Sequence, residues 1–217
     1  MLLSLLTSTM IIAQNDPSSV ERGSLRRRAH EAKKLGKTSI NVGFPIVEYG
    51  EPEPLDTALE HTTLVLAKPL MSEAGHDDYT IYTWRKYRLL EKISFQRGVY
   101  DRPLPRDVPV SMLPIGPDEF VMGEIGGSVV IDGVTVSMQD PESRLLPEND
   151  RHLLFVLVVS EGAMAMLNYG PIGAFWVDES DKIHPRVDSD LNELGAELLQ
   201  RSGGDLSGVR TLCIRCK

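Results

Sequence analysis

Two short β-branched runs, Val129-Val130-Ile131 and Val134-Thr135-Val136, stand on either side of Asp132-Gly133. An Asp-Gly pair takes up the positive backbone angles of a two-residue hairpin turn, and β-branched arms favour extended backbone. The same punctuation recurs through the middle of the chain. Residues 62–66 are β-branched and apolar, and Tyr79-Thr80-Ile81-Tyr82-Thr83-Trp84 consists of strand formers. Residues 153–159, LLFVLVV, form an unbroken apolar run, which predicts a strand covered on both faces. Residues 163–167 and Ala174-Phe175-Trp176-Val177 follow, the latter ended by a charged turn at 178–182. The end of the Tyr79 element stays open, because Trp84, Tyr87, Leu90 and Ile93 also fit a helical face.

Short strands with turn residues between them predict a mainly β fold, α+β overall. It is an antiparallel sandwich or a partly open β-barrel over 61–180, with flanking N- and C-terminal helices. Nothing alternates strand with long helix as a parallel sheet demands. The stretch 101–117 contains Pro103, Pro105, Pro109, Pro114 and Pro117, which exclude a central strand and read as a long connection.

Both flanks carry their own signals. Residues 1–13, MLLSLLTSTMIIA, are apolar and uncharged but too short for a membrane-spanning helix, which needs roughly 20 residues. They suit a signal peptide with Ala13 before the cut, although no Lys or Arg precedes them; a buried strand or helix is the other reading. The segment 14–60 reads as a basic helix and an extended linker. Within it, residues 20–37 hold seven basic and two acidic side chains, +5, leaving −13 for the rest of a chain whose net charge is −8. Leu25, Ala29 and Ala32 make a thin apolar stripe there. Contact with an anionic surface is one reading. A solvated, partly frayed helix attracted to the acidic body is the preferred one, because membrane anchors carry bulkier residues than this stripe. In 181–217, Val187, Leu191, Leu194, Leu198 and Leu199 share a helical face that Asp188, Ser189 or Asp190 would cap and Gly203-Gly204 would end.

The order of the strand landmarks resembles a family of exported bacterial proteins that share a mainly antiparallel β domain of uncharacterised function. The counterparts are residues 62–66, Ile81-Tyr82-Thr83 leading to Lys92, Gly126-Gly127 with 129–136, residues 153–157, and 173–177. The sequence departs from that pattern at Arg151-His152, where an aromatic is expected, and in the length of its Pro-rich connection. The resemblance implies a fold and an envelope location, periplasmic or extracellular, and brings no catalytic residue with it. Without a signal peptide the location would be cytoplasmic.

The acidic balance argues against nucleic acid as a partner, since phosphate binding needs cationic groups. The leading candidate site is Cys213-Ile214-Arg215-Cys216, half of a tetrahedral zinc site, with His184 as the nearest histidine in sequence. Cys213 and Cys216 are also open to a redox role, to a disulfide within or between chains, or to a structural role. Gly75-His76-Asp77-Asp78 reads as a polar turn, or as a seat for a hydrated cation. Asp118-Glu119 and Glu148 with Asp150 are explained by neighbouring turns. Gly123, Gly126 and Gly127 suit a bulge or a close backbone approach. Tyr79, Tyr82, Trp84 and Tyr87, interleaved with Arg85, Lys86 and Arg88, form either a binding face or, preferably, core aromatics with basic residues outside.

The expected function is a non-enzymatic domain that binds a protein or small-molecule ligand through its sheet or loops. A metal-dependent enzyme using Cys213, Cys216 and a histidine, and a structural or assembly protein, are the alternatives.

Overall fold

The computed structural model describes residues 23–45, 53–94, 108–160, 164–167, 169–188 and 192–214. The apolar run 1–13, Pro103, Pro105, Ser189, Asp190, Leu191 and Cys216 lie outside them. Four α-helices and ten strands occur among the described residues.

The central strands are β2 (Thr63–His76), β3 (Ile81–Lys92), β4 (Glu119–Ile125), β7 (Arg151–Ser160) and β8 (Met164–Leu167). They curl into a partly open barrel. Antiparallel ladders join β2 to β3, β3 to β4, β2 to β7 and β7 to β8. Among the described residues the turn of the barrel is completed by one parallel pair, Val121 with Met164. β9 (Ala174–Val177) and β10 (Ile183–Pro185) extend the same sheet beyond β7. The ambiguous Tyr79 element is thus strand from Ile81 to Lys92, with Tyr79 and Thr80 in the turn before it and Ile93 just past its end, and the expected mainly antiparallel architecture is present.

Alternation along the strands feeds two cores. Val65, Ala67, Tyr87, Phe120, Met122, Leu154 and Val156 point into the barrel. Their neighbours Leu64, Leu66, Leu153 and Phe155 point outward and are covered by α2 (Leu55–His61), α3 (Glu193–Ser202) and α4 (Leu206–Ile214). The stretch 153–156 is fully apolar because both of its faces are buried. Each such Leu or Phe contributes about 2–3 kcal/mol of transfer free energy.

A second sheet, order β1-β6-β5, forms from β1 (Ser39–Val42), β5 (Gly127–Ile131) and β6 (Val134–Met138). The hairpin turn lies at Asp132-Gly133, both residues with positive φ (51° and 83°). Gly126 and Gly127 join the two sheets at φ of 109° and 128°. A Cβ on Gly127 would lie 2.3 Å from Thr83 Oγ1, so both backbone angle and space demand glycine there. This second sheet alternates cleanly. Val129, Ile131, Val134, Val136 and Met138 pack against α1 (Leu25–Lys34), while Ser128, Val130, Thr135 and Ser137 face outward.

Three expectations are corrected. The basic helix α1 is not loosely solvated: Leu25, Ala29 and Ala32 are buried on the small sheet, and its first amide donates to the Asp78 carbonyl. Small residues fill this stripe because the helix lies close on the strands. The segment 14–60 is more than helix and linker, since it contains β1, which pairs in parallel with β6, and α2. The cap of α3 is Asn192, whose Oδ1 accepts from the Gly195 amide. Asp188 instead pairs with Arg144, and Val187 bridges to Ser143. Gly203 ends the helix as expected.

Candidate functional site

At one end of the barrel the inward-facing side chains turn from apolar to charged. On β3, Arg85 lies two residues before Tyr87 on the same face; on β4, Glu124 lies two residues after Met122. Arg186 enters just after β10, and His152 near the start of β7. All of them are withdrawn from water: Arg85, Arg186, His152 and Tyr87 are buried, and the Glu124 side chain is 10% exposed.

Glu124 Oε2 accepts from Arg186 Nη1 at 2.7 Å and lies 3.3 Å from Arg85 Nη1. Its Oε1 is buried with no hydrogen-bond partner among the described residues. Burial works to raise the Glu124 carboxyl, but Arg186 and Arg85 outweigh it and hold the group below the usual carboxylate range. His152 Nε2 lies 2.8 Å from the Pro147 carbonyl, which can only accept, so that nitrogen carries the proton. Nδ1 is then the acceptor for the Tyr87 hydroxyl at 3.1 Å. Burial depresses the His152 imidazole to about 4, leaving it neutral at physiological pH. Burial also raises the Tyr87 phenol well above its ordinary value, with Glu124 adding to the effect.

These contacts fasten a plug. Arg186 Nε donates to the Arg144 carbonyl, Arg144 N donates to the Arg186 carbonyl, and Arg186 N donates to Ala174. Leu146, from the same crossing segment, is buried in the barrel core. The polar cluster therefore ties the segment 143–147 and the chain at 186–187 across the mouth of the barrel. Its polar groups are engaged chiefly with one another and with backbone carbonyls, and the lumen beneath is filled by side chains.

The residues singled out from the sequence fall elsewhere. Cys213, on α4, is buried in the outer apolar core beside Leu206 and Val209. No three His, Cys, Asp or Glu side chains among the described residues gather as a metal site. His184 is stacked on Trp176 at 5.2 Å and bonded to Asp178 Oδ2 at 2.9 Å. That bond, with the amides of Lys182 and Ser180, holds the Asp178 carboxyl at about 2, so Asp178 is the keystone of the charged turn. Asp77 does the same for the β2–β3 turn. Burial would raise its carboxyl, but the Tyr79 and Thr80 amides and the Tyr82 hydroxyl lower it overall.

Glu119 accepts from the Gly116 amide and pairs with Lys86, and Glu148 accepts from Ser72. Of the aromatics, Trp84 and Tyr87 are core residues while Tyr79 is exposed. Arg85 corrects the expectation that the interleaved basic residues all lie outside. Sequence reasoning missed the cluster as a unit. The available signal was a charge on the inward side of an alternating strand, at Arg85 and Glu124, together with the unexpected Arg151-His152.

Compared with protein-family models, curated proteins and solved structures, the chain finds no match. No helix among the described residues is long and apolar enough to cross a membrane.

Outside the barrel, β2 runs beyond its ladder with β7. Pairing with β7 covers residues 63–67, whereas residues 68–76 are laddered to β3 alone among the described strands. The register shifts between Pro69 and Met71, leaving Leu70 unpaired, and both Leu70 and Met71 are exposed.

Proposed function

We propose that this chain is a non-enzymatic binding domain of the bacterial envelope that engages a polypeptide partner on the outside of its barrel. The supporting observation is the edge of β2 over residues 68–76, which is open on the side away from β3 among the described strands. Among the described residues only β3 is laddered to this stretch, which carries two exposed apolar side chains, Leu70 and Met71. Such an edge takes an extended segment by strand addition, in which main-chain hydrogen bonds supply affinity and alternate side chains supply selectivity. Pro69 and the bulge beside it interrupt the edge, which limits indiscriminate pairing. In the charged cluster of the barrel mouth, Arg85 and Arg186 are engaged with Glu124 Oε2, which supports the same reading.

The envelope location is supported by the apolar run 1–13 and by the ordered strand landmarks. A photo-crosslinking residue at Met71 in living cells tests the reading. It should yield one discrete adduct with another polypeptide, lost on Leu70→Glu, and the mature N-terminus should lie after Ala13. An absence of adducts from Met71, or an intact residue 1 in a cytoplasmic product, would overturn it.

A further inference from the structure

We infer that the outward face of α1 docks on an anionic lipid surface. Six Lys or Arg side chains, Arg26, Arg27, Arg28, Lys33, Lys34 and Lys37, occur with one acid, Glu31, between residues 25 and 37. Because Leu25, Ala29 and Ala32 are committed to the small sheet, the helix is held with its basic side outward. Small residues in the stripe therefore say nothing against a membrane contact, since the stripe is not the part that meets the membrane.

Three observations favour lipid over an acidic protein. The cations are spread over the exposed sides of a convex helix and the turn that follows it, so that several can meet a plane of charge together. Four to eight such residues on an amphipathic helix are the ordinary footprint of anionic-lipid binding. At the C-terminal end of α1, Leu35 is 75% exposed between Lys34 and Lys37, a bulky apolar side chain placed to enter the headgroup layer. Beside it, an open groove of about 250 Å³ between α1 and β1 is lined by Arg28, Lys37, Glu31, Leu35, Ile40 and Asn41, a shallow recess with two cations and one carboxylate, the latter paired with Arg27.

Two of the cations are engaged within the protein and are weaker contributors. Arg27 pairs with Glu31, and Lys33 donates to the Asp132 carbonyl. The remainder of the chain is net negative, which favours approach by this basic face. This surface is separate from the β2 edge.

Sedimentation of the full chain with vesicles provides the test. Vesicles of phosphatidylcholine with about 30% phosphatidylglycerol should bind at least about tenfold more tightly than pure phosphatidylcholine, and the excess should vanish at about 0.5 M salt. The quadruple variant R26Q/R28Q/K34Q/K37Q should lose that excess, whereas R88Q/K182Q, on neither α1 nor the β2 edge, should keep it. Crosslinking from Met71 should survive in the quadruple variant, which separates this inference from the proposed function. Equal binding to both vesicle types, unchanged binding by the quadruple variant, or retention on immobilised polyglutamate without vesicle binding would each overturn the lipid assignment.

Discussion

His152 carries the most direct pH consequence at the scale of single residues. Its imidazole is neutral in the fold, near pKa 4, against 6.5 when solvated. The unfolded chain binds the proton first, so this residue's contribution to stability is complete above pH 6.5 and falls away as pH drops toward 4. The loss amounts to about 3 kcal/mol. Glu124, whose carboxyl is held low by its guanidinium partners, adds to the loss in the same direction on further acidification. Urea unfolding at a series of pH values should show this decline, and His152→Gln should flatten it between pH 4 and 6.5. Glu124 has a second consequence. Glu124→Gln leaves two guanidiniums buried without a carboxylate, and denaturant unfolding should show a loss of about 3–5 kcal/mol.

Among the elements, the α3–α4 corner depends on a single missing side chain. A Cβ on Gly208 would sit 1.8 Å from the Ser202 carbonyl oxygen, which is backbone and cannot swing aside. Gly208→Val should therefore push α4 off α3, at a cost of about 1–3 kcal/mol. It should also expose Cys213, now 3% exposed, to alkylation that peptide mass mapping would locate. What could be read beforehand divides along physical lines. The Asp132-Gly133 hairpin and the doubly covered run at 153–156 were legible because local chemistry and burial agree there. The helix α4 was not, since LSGVRTLCI contains Ser, Gly and Thr and is held by packing. β1 and α2 are short, and their apolar residues gain a period only against distant neighbours. The parallel pairing of β1 with β6 joins residues nearly a hundred positions apart and leaves no local mark.

At the scale of the whole molecule, the barrel is held shut by the very residues that would otherwise be taken for an active site. Arg85, Glu124 and Arg186 were invisible as a group in the sequence because they come from β3, β4 and the chain after β10; only the register of the sheet unites them. A buried triad of this kind is replaceable by apolar side chains of similar volume at little cost, or with a gain in stability. A catalytic or ligand-holding triad is not. The most direct measurement is therefore the combined variant Arg85→Met, Glu124→Leu, Arg186→Met, followed by unfolding and by crosslinking from Met71. The closed-plug account predicts a folded protein, within about 2 kcal/mol of the parent or more stable, that still forms the same adduct. A variant that folds as well as the parent yet no longer forms it would contradict that account and place the binding function inside the barrel mouth.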